Sequence, residues 1–220
     1  MYVSEAVKSR FSCRAFTEKP VSKELIKEIL DVAKQAPSGG NLQPWHIHVI
    51  SGKKLDQIVS DIESKITDMP MGEKTEYDVY PPNLWEPYRS RRFKCGEDLY
   101  KSINIPREDK GARLSQLAKN LRFFDAPVGL FVYIDRKMGP PQWSDVGMFL
   151  QTVMLIAREK GLHSCAQEAW AMWHSTVNKY LVVDNKFMLF CGMGIGYADE
   201  NHPINLWRTE REAVDNFTTF

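Results

Sequence analysis

Arg10-Phe11-Ser12-Cys13-Arg14 places two guanidinium groups and a hydroxyl within five residues. In an extended segment the side chains alternate, so positions 10, 12 and 14 project from one side. That arrangement makes a compact anion clamp. Arginine forks match phosphate oxygens bidentately, and a serine hydroxyl adds a short hydrogen bond. Taken alone, the same five residues also describe a solvated polar turn. A second constellation runs from Ala36 to Trp45, A-P-S-G-G-N-L-Q-P-W. Its two glycines allow close backbone approach to a planar ligand, and Asn41 and Gln43 supply amide donors and acceptors. Ordinary helix-to-strand turns draw on the same residue types, but the N-x-Q-P-W ending is unusual for one.

Other spacings invite chemistry and are set aside. Gly192, Gly194 and Gly196 do not follow the G-x-G-x-x-G pattern and lie late in the chain within a strand, so close sheet packing explains them better. His46 and His48 share a strand face but lack a third metal ligand. His163 and Cys165 share a face too, and a buried thiol explains them better than a nucleophile pair. Trp170 and Trp173 read as core.

The elements that must position these residues alternate between helix and strand. Met1 to Lys8 reads as a short helix. Ser22 is an N-cap for a helix carrying Leu25, Ile26, Ile29, Leu30 and Ala33, which stops at Ala36-Pro37. Trp45 to Ile50 alternates as a strand. Leu55, Ile58, Val59, Ile62 and Ile66 mark a second amphipathic helix. Asp78 to Pro87, D-V-Y-P-P-N-L-W-E-P, is denied regular structure by its prolines. Tyr88 to Ile105 is basic and helical, and Leu114, Leu117 and Leu121 mark another helix. Residues 78–125 therefore read as an excursion or lid on a single domain spanning 1–220. Pro127 to Ile134 is a buried strand, Trp143 to Lys160 an apolar helix stopped by Gly161, and His163 to Ala166 a short strand. Trp170, Trp173, Val177 and Leu181 mark a helix, and Phe187 to Tyr197 the last strand. The tail from Asp199 is polar and is expected to pack along another surface. The order is that of an α+β or α/β layered domain.

The chain has 220 residues, with 29 Lys+Arg against 28 Asp+Glu. That balance gives no electrostatic reason to expect nucleic acid or an anionic membrane as partner. No apolar stretch is long enough to span a bilayer, and the first residues lack the apolar middle of a signal peptide. Cys13, Cys95, Cys165 and Cys191 are scattered, as free thiols of a cytoplasmic protein would be.

R-x-S-x-R followed by A-P-S-x-x-N-x-Q-P-W resembles the nitroreductase family of flavoproteins. The resemblance covers most of the chain. Asp145 to Cys165 looks like the family's central dimer helix and following strand. Gln167-Glu168-Ala169-Trp170 resembles the segment facing the flavin ring, Cys191 to Tyr197 the final strand, and Arg208 to Arg211 the closing basic segment. Residues from about Asp61 to Asp125 depart most.

The resemblance implies an α+β, three-layer α-β-α sandwich with a central, mainly antiparallel sheet. It also implies an intertwined homodimer with FMN at each of two shared interfaces, and a C-terminal extension, 199–220, packing on the partner subunit. Arg10, Phe11, Ser12 and Arg14 would hold the FMN phosphate end, joined by Arg208, with Arg211 a second candidate because the spacing departs from K-x-R. Pro37, Ser38, Gly39 and Asn41 would reach the ring from the partner. Gln167, Glu168 and Ala169 would lie beside the flavin N5 edge. The usual Asn and Lys donors to the pyrimidine side have no obvious match.

The implied activity passes hydride from NADH or NADPH through FMN to a nitroaromatic, quinone or similar electron-poor acceptor, with no acid–base triad. Trp85, Tyr88, Phe123 or Phe124 would suit such a ring. Arg89, Arg91 and Arg92 would attract an anionic one, unless they form only a solvated helix face. A reductive dehalogenase-like or flavin-fragmenting relative, or a non-catalytic flavin-binding protein, are the competing readings.

Overall fold

In the computed structural model, which describes all 220 residues, a four-stranded sheet is layered between helices. The strands are β1 (His46–Ser51), β2 (Val128–Asp135), β3 (His163–Gln167) and β4 (Phe187–Gly196), in the order β1-β2-β4-β3, with every neighbouring pair antiparallel. The helices are α1 (Val3–Ser9), α2 (Lys23–Ala33), α3 (Gly52–Glu63), α4 (Tyr88–Ser102), α5 (Lys110–Ala118), α6 (Pro140–Glu159), α7 (His174–Tyr180) and α8 (Pro203–Leu206).

The layering follows from strand periodicity. Along β2, Val128, Leu130, Val132 and Ile134 enter one core with α2 and α6, while Phe131 and Tyr133 enter a second core with α3 and α7. A strand buried on both faces must be apolar at nearly every position, as Val128 to Ile134 is. Sheet pairing slips by one residue between Val132 and Tyr133, leaving Phe190 of β4 as the extra residue of a bulge. Its carbonyl accepts a hydrogen bond from the Tyr77 hydroxyl.

Glycines on the second face of the sheet make room for aromatic rings. A Cβ at Gly192 would sit 2.8 Å from Phe123 Cε1 and still nearer Trp170, so the late glycine run serves packing, as its position in a strand predicts. Phe123 is fully buried, stacked on Trp170 with ring centroids 4.3 Å apart. It is therefore core and not an acceptor-facing aromatic.

Among the boundaries that differ from the sequence reading, three have a structural cause in view. Ile66 lies beyond the end of α3, because the helix stops at Glu63 and the chain continues in turns. The expected helix through Trp170 and Leu181 is divided into a 3₁₀ turn, Glu168–Trp173, and α7. The division is fixed by a remote cap: the Glu73 carboxylate accepts from the Ser175 N–H at 2.8 Å and the Thr176 N–H at 3.0 Å. The helix expected through Leu121 ends at Ala118, and Phe123, Phe124 and Asp125 then turn with positive φ. Leu114 and Leu117 on α5 stay more than half exposed, and α4 buries none of its residues.

Candidate functional site

The N-terminal arginine segment is held against the sheet. Ser12 bridges to Ser164 beside β3, and the Cys13 N–H donates to Ser164 O at 3.0 Å. Asn205, buried at the end of α8, ties the other side. Its Oδ1 accepts from the Arg14 N–H at 2.9 Å, and its Nδ2 donates to Ala15 O at 2.7 Å and Asp199 O at 2.9 Å. Sequence reasoning missed Asn205. A polar residue between Ile204 and Leu206 was the available signal, but nothing local says which backbone it meets.

This splice brings the two chain ends together. Arg10, Phe11, Ser12, Arg14, Arg208 and Arg211 line one cavity of about 390 Å³, which Lys8 also borders. Arg208 lies 4.0 Å over the Phe11 ring, and its Nη1 donates to Trp207 O at 2.9 Å and to Asn205 O. Arg211 instead folds onto its own neighbours, donating to Glu210 O at 2.8 Å and to the Thr209 hydroxyl. None of Lys8, Arg10, Arg14, Arg208 or Arg211 forms an ion pair. Burial, and then the nearby Arg211 charge, push the Arg10 guanidinium below its usual range. Four guanidinium groups facing one hollow without a carboxylate repel one another, and a multiply charged anion relieves that repulsion.

The Ala36–Trp45 turn sits elsewhere on the surface. Gly39–Asn41 forms a 3₁₀ turn, with positive φ at Gly40, Asn41 and Gln43. Asp145 of α6, itself buried, accepts from the Gly39 N–H at 3.2 Å, and Ser38 Oγ accepts from the Gln43 N–H at 2.9 Å. Pro37, Ser38, Gly39 and Asn41 do not line the arginine cavity of their own chain, and Leu42 is left 53 % exposed.

At the end of β3, Gln167 is buried and its Nε2 donates to Asn120 O at 2.7 Å. Gln167 Oε1 and Trp170 Nε1 are buried without a hydrogen-bond partner, on either side of exposed Glu168 and half-buried Ala169. Burial pushes the Cys165 thiol up to about 11. Burial, with the Arg158 and Arg208 charges, pushes His163 down to about 4. Both stay neutral, and this pair holds no thiolate–imidazolium nucleophile. His46 stacks on Phe187, and no group of three metal-ligating side chains occurs around the two histidines or elsewhere.

The expected acceptor-facing residues are not gathered. Trp85 and Tyr88 meet edge to face at 5.6 Å and stay half exposed. Arg89 is paired with Glu86 at 2.8 Å. Phe124 lines a separate cavity of about 430 Å³, beneath Arg14 at 5.9 Å.

Residues 7–197 match the profile of the Nitroreductase family. The chain belongs to the nitroreductase family. Among curated proteins it is 40 % identical to a 4-nitrobenzoate reductase of Pseudomonas putida, over 97 % of this chain and 93 % of that one. It is 35 % identical to a nitrobenzene nitroreductase of Ectopseudomonas oleovorans, over 100 % of this chain and 96 % of that one. Among solved structures, the FMN- and NADPH-dependent nitroreductase NfnB of Sphigopyxis sp. strain HMH superposes with a TM-score of 0.97 at 45 % identity, over 100 % of this chain and 99 % of that one. The α+β fold and antiparallel sheet implied by the sequence resemblance are those of the family. No helix is long and apolar enough to cross a membrane.

Proposed function

We propose that this chain is an FMN-dependent nitroreductase that takes hydride from NADH or NADPH and delivers it to a nitroaromatic or similar electron-poor ring. The observation that carries the reading is the cavity at the joined chain ends, where Arg10, Arg14, Arg208 and Arg211 converge without a carboxylate. That donor set fits the phosphate of FMN: planar forks, a serine hydroxyl and no competing anion. The full-length likeness to the named nitroaromatic reductases and to the FMN- and NADPH-dependent NfnB supports the same assignment.

The chemistry FMN supplies when bound is two-electron transfer, hydride in at N5 and hydride out to the acceptor. The protein's own residues bind, orient and shield. Arg10, Ser12, Arg14 and Arg208 hold the phosphate end. Gln167, Glu168 and Ala169 form the wall beside the ring, where unpartnered Gln167 Oε1 offers an acceptor. Pro37, Ser38, Gly39 and Asn41, standing outside the cavity of their own chain, serve the partner's site in a homodimer. Exposed Leu42 on that turn, Met148 on α6 and Val7 on α1 support such an interface. Residues 78–125 act as the lid that shapes the acceptor site, with Trp85, Tyr88, Arg89 and Phe124 drawn from it. The exposed tail with Phe217 and Phe220 packs on the partner. Four unpaired cysteines, including exposed Cys95, suit the cytoplasm.

Purified protein is expected to be a yellow dimer whose flavin absorbance bleaches anaerobically with a reduced nicotinamide and returns on adding a nitroarene. A colourless monomer that takes up no added FMN would overturn the reading. FMN retention without turnover would favour a flavin-binding protein, and turnover confined to haloarenes a dehalogenase.

A further inference from the structure

The cavity lined by Phe124 carries, besides Arg14, a second unneutralised arginine. Of the three arginines on α4, Arg89 pairs with Glu86 and Arg91 with Glu212, whereas the Arg92 side chain makes neither an ion pair nor a hydrogen bond. It is nonetheless placed: its guanidinium lies 4.1 Å over the Tyr80 ring. A guanidinium held over a ring by its charge and making no hydrogen bond has its N–H donors free, and that planar fork is the group that grips a carboxylate bidentately. Arg92 borders the 430 Å³ cavity whose walls include Phe124, Leu99, Tyr100 and Leu117. No aspartate or glutamate lines that cavity, and Arg14 closes its far side, adjoining the phosphate clamp. A hollow of this volume suits a single substituted ring. Asn120, also in its wall, accepts from Gln167, so the hollow borders the segment assigned to the flavin edge. Gly96, one turn along α4, leaves open space beside it: a Cβ there would meet nothing within 4 Å.

We infer that Arg92 is the residue that selects a carboxylate-bearing acceptor, so that the substrate class is a nitroarenecarboxylate and not a neutral nitroarene. The inference rests on the proposed nitroreductase reading. It assigns the free fork to the acceptor's carboxylate, with the ring lying on the apolar wall.

The test uses the FMN-loaded protein and its Arg92→Ala and Arg92→Lys variants, with 4-nitrobenzoate and nitrobenzene as acceptors. Loss of charge-assisted hydrogen bonds is expected to raise KM for 4-nitrobenzoate about 10- to 100-fold in Arg92→Ala. KM for nitrobenzene should move less than about twofold, and lysine should restore part of the loss because it keeps charge but not the fork. The flavin midpoint potential should not change. Calorimetric titration with benzoate, which requires no turnover, should show the same weakening. Equal loss for both acceptors, a shifted potential, or benzoate binding indifferent to residue 92 would overturn the assignment while leaving nitroreductase activity intact. Absence of any flavin-dependent turnover would overturn the broader reading, and the benzoate titration would still decide Arg92.

Discussion

Two arginines near the C-terminus compete for the role of phosphate ligand, and their surroundings separate them. Arg208 is held by the Phe11 ring at 4.0 Å and by backbone carbonyls of residues 205 and 207, at the point where buried Asn205 anchors the segment. Arg211 is held only by residues 209 and 210 beside it. Arg208 is therefore preorganised toward the cavity, and Arg211 contributes mainly field. The Phe11 contact is already made without ligand, so it orients Arg208 and is not counted as a bond gained on binding. What Arg208→Ala removes is the charge-assisted bond itself, about 1.5–3 kcal/mol. Arg208 is solvent-exposed, which puts the loss in the lower half of that range, about 1.5–2 kcal/mol. That corresponds to about a 10- to 30-fold rise in Kd for FMN. Arg211→Ala removes one repulsive neighbour of Arg10 and should change Kd by less than about threefold. Apoprotein titrated with FMN at fixed ionic strength, followed by flavin fluorescence quenching, reads both numbers. An Arg211→Ala loss as large as that of Arg208→Ala would refute the reasoning.

Asn205→Ala should lower Tm by about 5–12 °C and weaken FMN together, since it leaves the Arg14 N–H and the Ala15 and Asp199 carbonyls without their buried partner; scanning calorimetry with and without FMN checks it. Gly192→Ala should destabilise by about 1–3 kcal/mol in urea, because the added methyl meets Phe123 and Trp170; an unchanged midpoint would contradict the packing described. His163 should make stability fall between about pH 6.5 and 4. Its folded value lies near 4 while an unfolded imidazole protonates near 6.5, so on acidification the unfolded chain gains the proton first. Over that interval the urea midpoint of His163→Gln should decline less steeply than that of the parent protein.

The fold was largely legible because its strands alternate or run apolar at the right length. Pro127 to Ile134 read as a buried strand and is one from Val128, and α2 ends at Ala33, just ahead of the Ala36-Pro37 stop. What the sequence hid was non-local. The cap that divides the Trp170–Leu181 segment comes from Glu73, about a hundred residues earlier. The splice at Asn205 joins segments some 190 residues apart. The clamp was legible as a motif at Arg10, Ser12 and Arg14, while the C-terminal spacing left Arg208 and Arg211 as alternatives; all four arginines line one cavity. The acceptor residues proposed from the sequence are less closely grouped. Phe124 lines the 430 Å³ cavity while Trp85, Tyr88 and Arg89 stand outside its wall, Arg89 paired locally with Glu86.

The stretch Arg208-Thr209-Glu210-Arg211-Glu212 resolves a problem that the clamp creates. Arg208 and Arg211 both line the cavity, and α4 alongside adds Arg91 and Lys94. The interleaved glutamates point away from the cavity and pair with α4 instead: Glu212 with Arg91, and Glu210 with Lys94 at 3.1 Å. The carboxylates thus neutralise the neighbouring helix without entering the phosphate hollow, and Arg92 alone of the α4 arginines keeps its charge for a ligand. Such exposed pairs are worth about 0–1 kcal/mol each. The attachment of α4 to the C-terminal segment is therefore weak beside the charge-assisted contacts proposed between the clamp and a phosphate. Salt should loosen α4 well before it releases the cofactor.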